Sequence, residues 1–456
     1  MFANIYTKLS FDSFKRHNSC VVCKQSIEYY ITLETLSRLI TDRMFGIAFK
    51  CRHRLSILMA SKNKLMSCVT IALGGSLTFA GYNLYTGDHK FYQQLVMPFI
   101  HHITDAETAH TMAIKLAKHG FVPHLKEDDT LVPILKTSLW SLEFNNPIGL
   151  AAGFDKNGQA INGLAKLGFG FIEVGSCTPQ PQPGNEKPRV YRLIEDKAII
   201  NRYGFNSIGH NAVKANIENS IKTKESLILG LNLGKNKLTE NMVNDYVEGL
   251  IKFKDSEAID YFVLNISSPN TSNLRDLQNK TQLKQLIERV LKVRIDYQIE
   301  KPLLIKIAPD LDDNQLKDIT DIINEFASNK SMKGIDGLII SNTTVYRHEC
   351  LKSDNKLVTQ KGGLSGLPLQ KTSTDLIKRV YQLTGGKVPI IGVGGVFTGS
   401  DAYDKIRAGA SLIQIYTALT YEGPQVVNEI KQELANILRS NGFKNVTEAV
   451  GIDHLK

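Results

Sequence analysis

Eight short apolar runs, separated by helix-forming segments, occupy the chain from about residue 145 onward, and no other feature constrains the fold as strongly. Apolar runs that alternate with helical stretches predict βα units and a parallel sheet. Eight strands close a (β/α)8 (TIM) barrel. An open doubly wound sheet is the alternative, but no GxGxxG follows the first run, so we predict the barrel, over residues 130–456. The eight runs are 148–152, 169–174, 227–233, 261–266, 303–307, 337–340, 389–393 and 412–416.

The net positive charge is concentrated at the amino terminus, which argues against binding of nucleic acid. The formal charge of the chain is +10, and residues 1–64 hold eleven Lys and Arg against four Asp and Glu, or +7 of that total. The remainder is nearly balanced and lacks a basic stripe with interleaved aromatic residues, the pattern that follows phosphates. A basic leader that is poor in acids fits a mitochondrial targeting segment, which we place at residues 1–64.

An uncharged stretch follows the leader, between Lys64 and Asp88. About 20 apolar residues cross the core of a bilayer, so we predict a transmembrane helix over residues 65–87. The lysines that precede it orient its start toward the more positive side. A buried helix of a soluble domain is one alternative. A signal-peptide core is another, although such cores are usually shorter and lie nearer the terminus.

Residues 88–125 are predicted to form a small helical domain with two amphipathic helices. Apolar residues between 91 and 100 indicate the first helix. Thr104 and Glu107 predict a capping box at the start of the second, and Gly120 predicts its end. Two readings stay open: the helices pack on the main domain in an ordinary way, or they lie where lipid meets protein and admit an apolar ligand.

The six cysteines do not form the pattern of a disulfide framework in a chain of this length, so we expect a compartment without structural bridges. Cys20 and Cys23 make one CxxC pair. A structural zinc site needs four ligands, and no second pair follows at a suitable spacing. We therefore expect no bound metal.

Polar residues are dense where the predicted strands end, which is where a TIM barrel carries its active site. Amide side chains present a donor and an acceptor together, which suits a planar heterocycle with amides and carbonyls. A single buried Asn is more often only a satisfied polar group, but four strand-end asparagines with two lysines are harder to dismiss. These polar strand ends are residues 151–156, 175–177, 232–236, 265–271, Lys306 and 341–344.

Glycines after the last strands predict a phosphate site. Residues 394–395 follow the seventh strand, 416–417 follow the eighth, and the glycine-rich segment 362–366 lies on the loop after the sixth. Glycine lets backbone N–H groups close on a phosphate, and this end of the barrel is the usual phosphate site of the fold. Lys306, pointing inward from the fifth strand, is suited to stabilise negative charge on a reduced ring. A mononucleotide such as FMN fits this description.

Four motifs resemble those of one enzyme family: NRYGFN at 201–206, NISSPNT at 265–271, KIAPD at 306–310 and IGVGG at 391–395. They are similar to the membrane-bound, quinone-linked (class 2) dihydroorotate dehydrogenases, and the likeness runs from about residue 64 to the end of the chain. The resemblance implies FMN-dependent oxidation of (S)-dihydroorotate to orotate with ubiquinone as final electron acceptor, the fourth step of de novo pyrimidine (UMP) biosynthesis. It also implies a single-pass protein of the mitochondrial inner membrane whose catalytic domain faces the intermembrane space.

Residue roles also follow from the resemblance. Ser268 is implied as the catalytic base, at a position where the related soluble class has cysteine. It would take the C5 proton while hydride leaves C6 for the flavin, with Thr271 and Phe205 shaping a relay because a serine hydroxyl is a poor base. The implied FMN contacts are Ala151, Ala152, Gly153, Gly175, Ser176, Asn201, Asn232, Asn265, Lys306, Ser341, Ser365, Gly366, Gly394, Gly395, Tyr416 and Thr417. The implied orotate contacts are Lys156, Asn201, Tyr203, Gly204, Phe205, Asn206, Asn265, Asn270, Asn342 and Thr343. The implied quinone tunnel is lined by Met97, Ile100, His110, Ala113, Leu116, Arg192 and Tyr416.

Simpler interpretations stand beside these roles. His110 is alternatively a solvated helix residue, and Arg192 alternatively pairs with Glu195 or Asp196 at the surface. Another FMN barrel, such as an α-hydroxy-acid oxidase, would need a histidine base at a strand end, and none of the eleven histidines lies there. A membrane-tethered scaffold or nucleotide sensor would not need the hydroxyl of Ser268. The loop 269–277 is predicted to act as a lid over the substrate.

Overall fold

The computed structural model describes residues 62–126, 128–220, 227–328 and 334–455, and its main feature is a closed barrel of eight parallel strands. Around the barrel the strands follow chain order as β3, β4, β7, β8, β9, β10, β12 and β13, with β13 hydrogen-bonded to β3. The predicted fold class is confirmed. The strands are β1 Thr137–Leu139, β2 Leu142–Phe144, β3 Ile148–Leu150, β4 Phe171–Cys177, β5 Val190–Leu193, β6 Ala198–Asn201, β7 Ile228–Leu233, β8 Tyr261–Asn265, β9 Leu303–Ile307, β10 Gly337–Ile340, β11 Gly363–Gly366, β12 Ile390–Val393 and β13 Leu412–Ile415.

The longer helices between the barrel strands bury one apolar face each, the arrangement that the alternating pattern predicts. Two of these helices are Lys280–Asp296 and Asp313–Ser328. The helices are α1 Lys62–Thr86, α2 His89–Phe91, α3 Met97–Ile103, α4 Ala106–Lys118, α5 Val132–Leu135, α6 Ile161–Ala165, α7 His210–Ser220, α8 Met242–Phe253, α9 Lys280–Asp296, α10 Asp313–Ser328, α11 Asn355–Val358, α12 Gln370–Leu383, α13 Gly399–Arg407, α14 Thr417–Glu422 and α15 Val426–Ser440.

The inside of the barrel is layered, with an apolar layer below a polar one. The hairpin of β1 and β2 supplies Phe144, whose ring packs edge-on against Phe171 in the lower layer. Because side chains two residues apart share one face of a strand, the residues two positions beyond this layer also point inward. The lower layer includes Phe144, Phe171, Tyr261, Val263, Leu304, Ile339 and Leu412. The layer above it, toward the carboxyl ends of the strands, holds Glu173, Asn232, Asn265, Lys306, Ser341 and Gln414, all buried.

A separate three-stranded antiparallel sheet was not expected from the sequence. Strand β6 pairs with β5 on one side and with β11 on the other. Each of its strands has four residues, and β11 is separated from β6 by more than 160 residues in the chain, with register Gly363↔Asn201. This sheet carries Asn201, Ser365 and Gly366 toward the mouth of the barrel.

The two helices predicted in residues 88–125 are present, but the expected capping box is wrong. Helix α4 begins after Asp105, whose carboxylate accepts hydrogen bonds from the amides of Glu107 and Thr108. Asp105 takes the cap because the hydroxyl of Thr104 instead donates to the carbonyl of Ile100. The predicted stop is confirmed, since Gly120 has φ +77° directly after the helix. The first helix is continuous from α2 through a π-helical turn, Tyr92–Val96, into α3.

The described residues divide into two compact units between Ala80 and Gly81, and the second unit contains both the small helices and the barrel. Helix α1 covers most of the segment 65–87 that was predicted to span a membrane. Over the described residues, however, none of the helices combines the length and the apolar character needed to cross a bilayer. The CxxC pair and all of the basic leader except residues 62–64 lie outside the described residues.

Candidate active site

A cavity of about 390 Å³ opens at the carboxyl ends of the barrel strands and extends between the strand ends and helices α3 and α4. Nearly all the residues implied for flavin, substrate and quinone line it. Gly175, Asn232 and Thr271 are the exceptions, and they lie directly behind lining residues: Gly175 precedes Ser176, Asn232 is hydrogen-bonded to it, and Thr271 follows Asn270. The three implied contact sets therefore belong to one continuous space.

The polar layer forms a chain of hydrogen bonds across the floor of this cavity. Asn232 Nδ2 donates to Glu173 at 2.7 Å, and the hydroxyl of Ser176 donates back to Asn232 Oδ1. Asn265 Nδ2 donates to the oxygen of Ser176 at 2.9 Å, and Asn342 Nδ2 donates to Asn265 Oδ1 at 3.0 Å. The strand-end asparagines that the sequence singled out thus contact one another through a common network.

Lys306 is a buried cation that faces the cavity. Among the described residues, none accepts a hydrogen bond from its ammonium group, and Glu173 is the charged group that acts on it. Burial lowers the pKa of Lys306 below its ordinary value, and the negative charge of Glu173 opposes that shift. Its three donors are therefore available to a ligand or to water in the cavity.

Glycines at one side of the cavity form a cradle for an anion. Gly394 has φ +117° and Gly395 has φ +70°. A Cβ at Gly395 would come within 2.5 Å of the backbone nitrogen of Gln370, the first residue of α12, so no side chain fits between the loop and this helix. Across the cradle, the hydroxyls of Ser365 and Thr417 are 3.0 Å apart. Backbone amides and hydroxyls grouped beside the start of a helix are a typical phosphate site.

Ser268 lies on the loop after β8 and is 8% exposed. Its Oγ accepts a hydrogen bond from the amide of Asn270 at 3.3 Å, while Asn270 Nδ2 donates to Asn201 Oδ1 at 3.3 Å. Two buried oxygen atoms have no hydrogen-bond partner among the described residues: Thr271 Oγ1, on the same loop, and Asn206 Oδ1, on the segment after β6. Unsatisfied buried polar atoms are uncommon in folded proteins, so their presence indicates groups that a ligand or water completes.

Lys156 is held at the opposite wall by the loop after β3. The buried carboxylate of Asp155 accepts hydrogen bonds from the amides of residues 157, 159 and 160, which fixes this loop. Lys156 Nζ donates to the carbonyl of Gly153 at 2.6 Å and lies 3.9 Å from the centre of the Tyr203 ring. Burial, reinforced by the charge of Arg189, lowers the pKa of Lys156 to about 7. An anionic ligand would favour the charged form of this side chain.

His110 is partly buried and hydrogen-bonded rather than solvated. Its Nε2 lies 2.7 Å from the carbonyl of Phe154, which can only accept, so Nε2 carries the proton. Nδ1 then accepts from the hydroxyl of Tyr203 at 3.2 Å. Burial lowers the pKa of His110 to about 3, so the ring is neutral and both of its nitrogens are engaged.

Arg192 does not pair with Glu195 or Asp196, so that alternative is wrong. Its guanidinium donates to the backbone carbonyls of His101, Thr104 and Asp105, at 3.3, 2.7 and 3.1 Å. The carbonyls of His101 and Thr104 lie at the end of α3, where unpaired oxygens attract a cation, and Asp105 is the N-cap residue of α4. Arg192 therefore ties the two small helices to the sheet that contains it and lines the cavity at the same time.

A clamp behind the Ser268 loop was missed in the sequence analysis. Arg275 donates to the carbonyl of Ser267 at 3.1 Å, to the carbonyl of Thr343 at 3.0 Å and to the carboxylate of Asp310 at 2.8 Å. It joins the loops that follow β8, β9 and β10. Nothing in the local sequence identifies it, because two of its three partners, Asp310 and Thr343, lie on other segments. The same holds for Glu173, which stands in an otherwise apolar run.

A TIM barrel whose mouth combines a glycine cradle, a network of amides and a buried unpartnered ammonium defines a flavin-dependent oxidoreductase. A sequence profile of the family described as dihydroorotate dehydrogenase matches residues 134–438 of this chain. The chain belongs to the dihydroorotate dehydrogenase family.

Relatives with quinone-linked names are similar over most of the chain. A mouse protein named mitochondrial dihydroorotate dehydrogenase (quinone) is 47% identical over 400 residues, which are 86% of this chain and 98% of the mouse protein. A Rhodospirillum rubrum protein named dihydroorotate dehydrogenase (quinone) is 48% identical over 353 residues, 77% of this chain and 92% of its own. The crystal structure of ligand-free DHODH from Eimeria tenella has a TM-score of 0.71 at 42% identity and covers 77% of this chain and all of its own. The chain is thus a member of the quinone-linked class.

Proposed function

We propose that this cavity oxidises dihydroorotate to orotate with FMN as hydride acceptor and passes the electrons to ubiquinone, within pyrimidine biosynthesis. The observation that carries the proposal is the single cavity, in which a glycine cradle, the Ser268 loop and the two small helices border one space. A hydride acceptor, a substrate and a quinone can each contact one of these three borders. If FMN is fixed between the substrate and the quinone, both half-reactions can take place at one ring: reduction by dihydroorotate and reoxidation by the quinone.

The residues present fit FMN. The ribityl phosphate would be held by Gly366, Gly394, Gly395, Ser365 and Thr417, whose donors surround the cradle, and the ring by the amide network and Lys306. The ammonium of Lys306 has no hydrogen-bond partner in the part of the chain that the structure describes, and it would donate hydrogen bonds to the electron-rich edge of such a ring. When bound, FMN supplies a reversible acceptor for a hydride equivalent. Ala151, Ala152, Gly153, Gly175, Ser176, Asn201, Asn232, Asn265, Ser341 and Tyr416 complete the proposed contact set.

The substrate would lie between Lys156 and the Ser268 loop. Lys156 is the cation for the carboxylate of dihydroorotate, and the unpaired Oδ1 of Asn206 accepts from its ring N–H. The hydroxyl of Ser268 takes the C5 proton, and the unpaired hydroxyl of Thr271 is positioned behind the loop to pass it on. Asn201, Tyr203, Gly204, Phe205, Asn265, Asn270, Asn342 and Thr343 border the same part of the cavity.

The quinone would enter between α3 and α4. Met97, Ile100, Ala113 and Leu116 give this end of the cavity an apolar wall, and Arg192 and Tyr416 lie deeper along it. His110 holds Tyr203 and Phe154 in place, and as a neutral ring with both nitrogens engaged it acts by hydrogen bonding rather than as an acid. Several apolar side chains of this region are exposed, among them Leu95, Phe99 and Phe121. An apolar rim at the entrance suits an electron acceptor that is dissolved in lipid.

We also propose that the protein works in mitochondria, at the inner membrane, with the barrel facing the intermembrane space. The support is the mitochondrial designation of similar proteins from mouse and Arabidopsis thaliana, together with the basic leader and the exposed apolar rim. Subcellular fractionation followed by protease treatment of intact mitoplasts tests the assignment. Protection of the barrel in mitoplasts, from which the outer membrane has been removed, would contradict the proposed orientation.

One anaerobic spectrum tests the proposed reaction. Purified protein is expected to be yellow, and dihydroorotate is expected to bleach the flavin absorbance in the absence of oxygen. A ubiquinone analogue added afterwards should restore the absorbance. A colourless protein, or a flavin that dihydroorotate does not reduce, would overturn the proposal.

A further inference from the structure

Glu173 is a carboxylate with no exposed surface, inside the barrel, and the proposed chemistry does not use it. Its Oε1 accepts from Asn232 Nδ2 at 2.7 Å, and its Oε2 accepts from Gln414 Nε2 at 2.6 Å. It lies two positions beyond Phe171, at the boundary between the apolar and the polar layer. A buried charge destabilises a protein unless it is paired and hydrogen-bonded, so a charge retained here calls for a role.

We propose that Glu173 is a positioning residue for the flavin site: it sets the donor direction of the amide network and supplies the counter-charge of Lys306. The inference rests on the flavin-dependent function proposed above. Glu173 itself would not touch substrate, because Asn232, Ser176 and Asn265 connect it to the cavity floor.

The direction of the network follows from the chemistry of a carboxylate, which only accepts. Asn232 must therefore turn its NH2 group toward Glu173, and its Oδ1 faces the hydroxyl of Ser176, which donates. The oxygen of Ser176 is then free to accept from Asn265 Nδ2, and this leaves Asn265 Oδ1 to accept from Asn342. The carboxylate of Glu173 thus determines, for Asn232 and Asn265 in turn, which neighbour the NH2 group faces and which neighbour the oxygen faces.

Glu173 on β4 and Lys306 on β9 both belong to the buried polar layer inside the barrel. Lys306 has no hydrogen-bond acceptor among the described residues, and the negative charge of Glu173 raises its pKa against the effect of burial. The other titratable group that faces Glu173 is Tyr261 of β8, a neutral hydroxyl because burial holds its pKa well above 10. Removing the negative charge should therefore let the ammonium lose its proton at a lower pH.

Two substitutions separate the two roles. Glu173→Gln has the same size without the charge. Its Oε1 can keep the hydrogen bond from Asn232, and its Nε2 can face Gln414, whose own Oε1 is buried and unpaired and becomes the acceptor after a half-turn of that amide. Glu173→Gln therefore removes the charge and preserves the direction of the network. Glu173→Met removes both the charge and the acceptors.

The experiment measures the midpoint potential of bound FMN against pH in the full-length holoenzyme, for wild type, Glu173→Gln, Lys306→Met and the double variant. A cation beside the ring raises the potential because it stabilises the negative charge that the ring gains on reduction. For Glu173→Gln, the plot of midpoint potential against pH is expected to show an additional break where Lys306 loses its proton. Above that pH the potential should fall toward that of Lys306→Met. The double variant should lack this break. Glu173→Met should also weaken FMN binding, and by more than Glu173→Gln does.

The wild-type protein provides a measurement that does not depend on the folding of any Glu173 variant. If Glu173 holds Lys306 charged, the difference in potential between wild type and Lys306→Met stays constant across the pH range. A difference that shrinks toward high pH, or a Glu173→Gln profile parallel to that of wild type, would overturn the inference and leave the proposed function intact. A wild-type protein that binds no flavin would overturn both.

Discussion

At the scale of single residues, the site depends on buried polar groups whose partners are incomplete. Lys306, Thr271 and Asn206 each present donors or acceptors that no described residue satisfies. Lys156 has a backbone acceptor and an aromatic ring but no anion in direct contact. Groups left in this state lower stability, and ligands that complete them gain affinity in return. The residue-level predictions follow from that imbalance.

Ser268→Ala is expected to slow reduction of the flavin by dihydroorotate by roughly 10²–10⁴, because the proton at C5 loses its acceptor. Reoxidation by quinone should be unchanged, since the substitution lies at the substrate border of the cavity. Anaerobic stopped-flow absorbance measures the two half-reactions separately. Thr271→Val tests the relay and should slow reduction less than Ser268→Ala. An equal loss in both half-reactions would remove Ser268 from the role of base.

Orotate should bind more weakly as the pH rises through 7. The pKa of Lys156 in the empty cavity is lowered to about 7, so the charged form that attracts a carboxylate is lost above that pH. The affinity of the oxidised enzyme for orotate should fall by about tenfold per pH unit on the alkaline side. Titration of the flavin spectrum with orotate measures it. Lys156→Met should bind weakly at every pH, whereas Lys136→Met, on the surface hairpin, should keep the wild-type profile. A pH-independent affinity in wild type would contradict the assignment.

At the scale of elements, the cavity is assembled from loops that several different helices and strands hold in place. The cradle depends on α12, because Gly395 lies against its first residue. The Ser268 loop depends on Arg275, which joins three strand ends. Helices α3 and α4 depend on Arg192 and on the ion pair between Arg189 and Glu107, 2.9 Å apart. Each of these contacts involves only a few atoms, yet each holds one border of the cavity in position.

Gly395→Ala is expected to abolish retention of FMN, because the added Cβ would come within 2.5 Å of the backbone of Gln370 and would displace the loop. Gly442→Ala is the matched control: its φ of +78° is similarly unfavourable for alanine, but no atom lies within 4 Å of the added carbon. Both variants should lose about 1–2 kcal/mol of stability from the backbone conformation. Only Gly395→Ala should be purified without flavin. Equal flavin content in the two variants would refute the cradle.

At the scale of the whole molecule, the barrel and its cavity belong to the compact unit that begins at Gly81. The hydrophobic clusters of that unit use residues from Ala117 onward. Helices α3 and α4 contribute only Ala117 and the partly buried Ile114 to this core, whereas several of their residues line the cavity. We therefore expect the reduction of the flavin and its reoxidation to depend on different parts of the chain.

Deleting residues 1–80 should leave a folded protein that binds flavin and is reduced by dihydroorotate at the wild-type rate, because the core and the substrate border are retained. Deleting residues 1–123 should selectively lower quinone turnover, because it removes Met97, Ile100, His110, Ala113 and Leu116 from the cavity wall. Flavin content, thermal unfolding and the two half-reactions are measured for both proteins. Loss of flavin from the shorter deletion would contradict this division.

The periodicity of the sequence determined the barrel, since each of the eight predicted runs overlaps a barrel strand and two of them, 303–307 and 337–340, coincide with β9 and β10. The run 169–174 ends too early, because β4 extends to Cys177. It also determined which residues stand at the strand ends, because each end follows directly from the run before it. These features arise from neighbours in the chain, so local pattern suffices to predict them. The resemblance of the motifs then supplied the family and the roles.

The tertiary structure alone decided which distant groups meet. Gln414 and Glu173 are 241 residues apart in the chain, and Arg189 and Glu107 are 82 apart. The sheet of β5, β6 and β11, the Arg275 clamp and the charge partner of Lys306 all depend on such meetings. A hydrogen bond or an ion pair depends on distance in space, and only closure of the barrel brings these side chains within reach of one another.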